Sequence, residues 1–281
     1  MKRYPLLYLA LALVLMNCSV FSILPSPTPI LTTDTPSPIP ITLTPQPTST
    51  PSPTPLHDSA LSFDGIDDYV MVSNHASLHM TDSFTIAAWI YMEEYTEWAS
   101  IVTKGNKPNV NNYTIHQSGP NGPKYKTEFG KLRFTGCADL PVLPVESETI
   151  LPLRTWHFVA ITFNGIKISF YLNGELDGSI DVRGPLCTNE ENLYIGVDHP
   201  GSSEYWHGAL DEIRIWNSSL SRNQIREVME GSGVPLEFAL VGYWAFDEGS
   251  GSIAHDRSKY SNDGVLMGDP MWISPGPPIQ R

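Results

Sequence analysis

Alternating apolar and polar positions run through most of the chain after residue 56 and are repeatedly broken by turn residues. WHFVAITF (Trp156 to Phe163), IKISFYL (Ile166 to Leu172) and ELDGSIDV (Glu175 to Val182) have the two-residue period of strands and are joined by Asn164-Gly165 and Asn173-Gly174. Asn-Gly between alternating runs is a strong hairpin signal, because both residues of such a turn take positive φ. SFTIAAWIYM (Ser83 to Met92) places aliphatic residues on one side and Trp89 and Tyr91 on the other. ASIVTK, NYTIHQ, GKLRFTG and NLYIGV add shorter strands, and this spacing predicts an antiparallel β-sandwich. One helix is expected, Ser221 to Met229, where Ser221 and Gln224 have capping-box spacing and Ile225 and Val228 or Met229 face the sheet. Trp89, Trp156, Trp216 and Trp244 lie inside strand patterns and are expected in the core.

The pattern changes at the N-terminus. Lys2 and Arg3 precede an apolar stretch, Leu6 to Met16, that is short for a membrane span, and residues 1–24 read as an export signal. Leu15-Met16-Asn17-Cys18-Ser19 resembles a bacterial lipoprotein cleavage box with Cys18 as the lipidated residue; an ordinary secretory signal cut nearby is the other reading. Residues 25–56 follow as a linker, and 11 of the 31 residues from Pro25 to Pro55 are proline. Such a segment buries too little apolar surface to offset its ordering entropy, so it is expected to form a disordered, extended stalk. At ~3.1 Å per residue it reaches roughly 95 Å.

Charge and cysteines narrow the partners. With 30 acidic and 17 basic residues the chain carries a net charge of −13, which opposes nucleic acid and anionic lipid and leaves a lipid anchor as the expected membrane contact. Apart from Cys18 the cysteines are Cys137 and Cys187, an even pair that in an exported domain favours a disulfide over two free thiols.

Two phrases carry clustered carboxylates: LSFDGIDDYVMV (Leu61 to Val72), with Asp64, Asp67 and Asp68 around Gly65, and HGALDEIRIWNSSLS (His207 to Ser221), with Asp211 and Glu212. Together with SFTIAAWIYM, IVTKG, LPLRTWHFVAITFNG, ISFYLNGELDGS and LYIGV, they occur in the order found in laminin-G-like jelly-roll domains of the concanavalin A-like lectin and glucanase superfamily, whose relatives include pentraxins. The resemblance runs from about Leu61 to Met229 and implies an all-β, two-sheet jelly roll over residues 57–235. LVGYWAFDEGSGSIAHDRSKYSNDGVLMG (Leu240 to Gly268) resembles the segment that usually precedes the first phrase in these domains. Residues 236–273 are therefore either an edge segment packed on the same domain, the favoured reading, or a truncated second repeat; residues 274–281 form a tail.

Many domains of this superfamily hold calcium, and the resemblance implies Asp64, Asp67 and Asp211 as its carboxylates, in a structural more than a ligand-bridging role. An ordinary acidic turn, with Asp211 and Glu212 capping a strand edge and pairing with Arg214, is the competing reading. Glucanases of the superfamily use a Glu-x-Asp-x-x-Glu phrase; none is present, and Glu93-Glu94 and Glu190-Glu191 point to opposite faces of any strand, so the expectation is a non-enzyme. The histidines have no metal-ligand spacing, and His157 at the start of a strand is expected to pack. Sugar recognition uses aromatic faces beside polar groups, for which Tyr95, Trp98, Tyr205 and Trp206 lie outside the strand patterns. The expected function is non-catalytic glycan binding at the cell surface or in secreted form; a protein-adhesion or structural surface module without sugar binding is the alternative and glycoside hydrolysis a remote one.

Overall fold

The computed structural model describes residues 59–105, 112–119, 129–136, 145–182 and 184–279. The export signal, Cys18, the proline-rich linker and Cys137 lie outside the described residues; Cys187 lies within them, where its carbonyl accepts a hydrogen bond from the Asn112 side-chain Nδ2.

The strands form two antiparallel sheets. The first runs β10 (Glu175–Asp181), β9 (Lys167–Leu172), β8 (Trp156–Phe163), β3 (Phe84–Met92), β12 (His207–Trp216), β1 (Ala60–Asp64) and β16 (Met271–Ile273), with β13 (Leu240–Trp244) also paired to β12. The second runs β14 (Ile253–Ala254), β15 (Gly264–Met267), β2 (Tyr69–Val72), β11 (Leu193–Ile195), β4 (Ser100–Lys104), β5 (Tyr113–Gln117), β6 (Leu132–Gly136) and β7 (Val145–Glu146). The main core fills the space between them and draws on alternate residues, among them Phe84, Ile86, Ala88, Ile90 and Met92 of β3 and Tyr113 and Ile115 of β5. The other face of β3 is buried as well. Ala87 and Trp89 pack with Phe158 and Trp216 beneath helix α1 (Arg222–Met229), whose Ile225 and Val228 complete a second cluster. The capping box at Ser221 and Gln224 forms as the spacing predicts. Trp89, Trp216 and Trp244 are buried, and Trp156 packs half-buried against the second cluster.

The two Asn-Gly turns differ. Asn173 and Gly174 both take positive φ, +48° and +79°. At the first turn only Gly165 does, because the connection has three residues and the Asn164 side chain accepts the amides of Ile166 and Lys167 at 3.2 and 2.9 Å. There the side chain does what the backbone twist does at the other hairpin.

The acidic pair of β12 marks a β-bulge. Asp211 lies opposite Trp89 and Arg214 opposite Ala87, so Glu212 and Ile213 together face Ala88, with Glu212 at φ +52°. The extra residue resets the alternation, and Leu210, Ile213 and Ile215 all reach the main core. Without it Ile213 and Ile215 would turn outward. The bulge also divides the strand's free edge: β1 pairs with residues 207–210 and β13 with 213–216.

The segment that follows the helix contributes to both sheets. β13 joins β12, β16 joins β1, and the β14–β15 hairpin extends the second sheet from β2. Val241, Trp244, Phe246 and Ala254 enter the main core.

Candidate ligand-binding site

Strand alternation builds a pocket of about 310 Å³ on the face of the second sheet opposite the core. Tyr113, Ile115, Leu132 and Phe134 point into the core, which leaves Thr114 and His116 of β5 and Thr135 of β6 to line the pocket. Thr135 Oγ1 lies 2.8 Å from His116 Nε2, and His116 Nδ1 lies 2.9 Å from the Gln117 carbonyl. The carbonyl can only accept, so Nδ1 carries the proton and Thr135 donates to Nε2. Burial above all pushes the His116 pKa down to about 4, and the imidazole is therefore neutral near pH 7.

Trp98 forms one wall. It takes a left-handed backbone conformation, φ +61°, and its ring lies 5.1 Å from the His116 ring and 4.6 Å from the Arg133 guanidinium carbon. Arg133 is held in turn by Glu146 at 3.2 Å, and Trp98 Nε1 donates to Glu97 at 2.9 Å. A buried cation and an imidazole thus fix the indole at the edge of the sheet.

The opposite wall is the connection between β11 and β12. Val197 bridges to Tyr205, and the Gly201 amide donates to the Tyr205 hydroxyl at 2.9 Å, so residues 198–204 form a tied loop. Asp198, His199 and Glu204 offer ligand atoms that all lie within 4.8 Å of one another. His199 Nδ1 meets Asp198 Oδ2 at 3.0 Å. Burial, and then the neighbouring Asp198, raise Glu204 to about 7. The folded state therefore holds this proton more tightly than the unfolded chain, and stability is lost as pH rises through about 7. Glu204→Gln is expected to melt with the parent at pH 4.5 and above it at pH 8, by thermal denaturation across that range. Parallel curves at all pH values would contradict the assignment.

The structure separates the other expected site residues. Asp64, Asp67 and Asp68 bring their carboxylates within 4.8 Å of one another. Much of that cluster is engaged by the main chain: Asp64 Oδ1 accepts from Ile66 at 2.8 Å, and Asp68 accepts from Asp64 at 3.0 Å and from Asp269 at 2.6 Å. Asp68 is raised chiefly by burial. Asp211 does not join them. Asp64 pairs with His207, four residues earlier on β12, which puts Asp211 about 13 Å further along the strand. A calcium ion shared by Asp64, Asp67 and Asp211 does not fit this register; the acidic loop instead ties β1 and β2 to the β15–β16 turn.

Of the four aromatics, only Trp98 lines the pocket. Trp206 is fully buried in the main core and cannot present its ring to a ligand. It follows the bridged residue Tyr205 and so takes the inward parity. Tyr205 packs with Val197, Tyr194 and Tyr69 beside the pocket. Tyr95 donates its hydroxyl to Leu151 at 2.8 Å and packs half-buried against the core. His116, Asp198, His199 and Glu204 were not distinguished by their local sequence, although carboxylates on both sides of His199-Pro200-Gly201, directly after a core strand, are a signal that could have found the loop.

A family profile described as the concanavalin A-like lectin/glucanases superfamily matches residues 64–226. Among solved structures, a candidate carbohydrate-binding protein from Bacteroides ovatus superposes with a TM-score of 0.62 at 19% identity, over 79% of this chain and 61% of its own. The chain thus spans about three fifths of that protein's length. A heptameric SAP-like pentraxin from Limulus polyphemus gives 0.46 at 16% identity, over 63% of this chain and 84% of its own. Domain 4 of an extracellular arabinanase from Geobacillus stearothermophilus, solved with arabinotriose, gives 0.45 at 18% identity, over 60% and 75%. At these identities the likeness is one of fold. No curated protein matches the sequence.

Proposed function

The chain belongs to the concanavalin A-like lectin/glucanases superfamily, and from that premise we propose that it is an exported, non-catalytic module that binds a glycan in the pocket between Trp98 and the 198–204 loop. The observation that carries this reading is the composition of that pocket: an indole wall, threonine hydroxyls with a neutral imidazole, and a carboxylate wall opposite. Aromatic surface beside a few oriented hydrogen-bonding groups is what a sugar ring requires, since its C–H faces stack while its hydroxyls both donate and accept. The volume, about 310 Å³, lies at the small end of small-molecule sites and suits one or two sugar units. Asp198 and Glu204 disfavour acidic sugars and favour neutral or basic ones. The proline-rich linker would hold the module away from the envelope, with Cys18 as the lipid anchor and a Cys137–Cys187 disulfide within the domain.

Trp98→Ala is expected to weaken binding by about 2 kcal/mol, roughly thirtyfold, while leaving the melting temperature near that of the parent. The measurement is a glycan array followed by calorimetry on the ligands it yields, each run with calcium and again with chelator. Silence on the array in both conditions, or undiminished binding by the variant, would remove the reading.

A further inference from the structure

Lys104, the last residue of β4, is fully buried, yet the pocket makes no use of it. Its ammonium nitrogen contacts Asn74 Oδ1 at 2.9 Å, the Asn189 carbonyl and Oδ1 both at 3.1 Å, and the Glu191 carbonyl. The surroundings of Asn74 differ from those of an ordinary acceptor. Its Oδ1 also meets His79 Nε2 at 2.9 Å, and its Nδ2 donates to Glu190 Oε2 at 2.6 Å. This orientation of the carboxamide follows from the network, since the reverse would set an NH₂ group against an ammonium and an oxygen against a carboxylate.

The geometry points to an autocatalytic isopeptide bond between Lys104 Nζ and Asn74 Cγ, formed with release of ammonia. An amine lies against an amide carbonyl whose oxygen is polarised by an imidazole N–H, and a carboxylate sits at the nitrogen that must leave. Lys104 supplies the nucleophile because burial lowers its pKa to about 8, which leaves on the order of a tenth of it as free amine at neutral pH. His79 is also shifted downward, first by burial and then by the Lys104 charge, so its neutral ring donates through Nε2.

In the reaction the Nζ lone pair adds to Cγ, and the carbonyl electron pair moves onto Oδ1, where His79 donates. Glu190 takes a proton from Nζ and returns it to Nδ2. The Cγ–Nδ2 bond then breaks, ammonia departs and the carbonyl re-forms. One C–N bond is made and one is broken, and no oxidant or reductant is needed. Asn189 is the poorer electrophile, because its Nδ2 faces the Lys104 main-chain carbonyl at 3.2 Å, a group that cannot exchange a proton. The new bond straddles β11, whose Leu193 pairs with Val72 on one side and with Lys104 on the other.

The test is peptide mapping of the reduced, denatured full chain by mass spectrometry. Trypsin has no site between residues 74 and 104, so chymotrypsin, which cuts after the aromatic residues that separate them, is added to the digest. The expected result is one branched peptide containing residues 74 and 104, lighter by one ammonia than its two parts, with trypsin unable to cut after Lys104. Asn74→Ala and Lys104→Arg are expected to abolish it. Glu190 is exposed, so Glu190→Gln is expected to fold normally and to show at least a tenfold smaller linked fraction soon after synthesis. Separate peptides with normal cleavage after Lys104 in the parent protein overturn the proposal, whether or not the Asn74 and Lys104 variants fold. A linked fraction in Glu190→Gln equal to that of the parent overturns the proton transfer assigned to Glu190.

Discussion

Ending the chain after Gly233 is expected to abolish folding of the domain. The lost segment holds β13 to β16, and its removal uncovers edges in both sheets at once: β12 from Ile213 to Trp216, β1, and β2. It also removes Val241, Trp244, Phe246 and Ala254 from the main core. Trp244 is fully buried and donates its indole N–H to the Asn262 carbonyl at 3.0 Å. Loss of one such side chain costs about 3–5 kcal/mol against a total stability of about 5–15 kcal/mol, so loss of the whole segment exceeds what a domain can absorb. Exposed β1 and β2 edges would also invite aggregation. Soluble yield and thermal denaturation, measured for the full chain and for one stopped after Gly233, check this. A soluble truncated chain with a cooperative melt would mean that the C-terminal strands are dispensable.

Removing Arg214 is expected to cost about 3–5 kcal/mol, the usual penalty for leaving a buried charge without its partner. Arg214 and Glu212 form an ion pair with side chains 7% and 2% exposed, at the bulge of β12. Tyr243 closes the group: its hydroxyl donates to Glu212 at 3.0 Å and accepts from Arg214 at 2.8 Å, while the guanidinium carbon lies 4.2 Å over its ring. Arg214 also donates to the Val228 carbonyl at 3.3 Å and so fastens the end of α1 to the sheet. Burial is the leading cause that raises the Tyr243 phenol above its ordinary value. Arg214→Ala and Glu212→Ala should each destabilise strongly, and the double variant should lose less than their sum, because it leaves neither charge stranded. Denaturant unfolding of the three variants decides the matter. Single losses under 1 kcal/mol would show the pair to be solvated.

The strands were legible in the sequence because burial of one face imposes a period of two, while burial of both, as in β3, leaves a short apolar run bounded by turn residues. The helix was legible because its capping box is local. What escaped was parity set at a distance. Asp64 and Asp211 lie on adjacent strands, but which residues stand opposite one another depends on pairing between β1 and β12, and nothing in either phrase specifies it. The aromatics failed similarly. Trp98 and Trp206 both lie in loop-like sequence, and only the Val197–Tyr205 bridge determines that Trp206 turns inward. The pocket joins strands β5 and β6 to two connections far apart in sequence, so its polar residues are individually unremarkable threonines, histidines and acids.

β1 is flanked by β12 and by β16, with Leu61 opposite Leu210 on one side and Trp272 on the other. It is also the first described strand, so tension arriving through the preceding residues acts along its axis. Both flanking ladders then resist in shear, several hydrogen bonds at a time, instead of peeling one after another as a terminal edge strand would. Under the proposed N-terminal attachment, the domain would be loaded through a strand that is held on both sides.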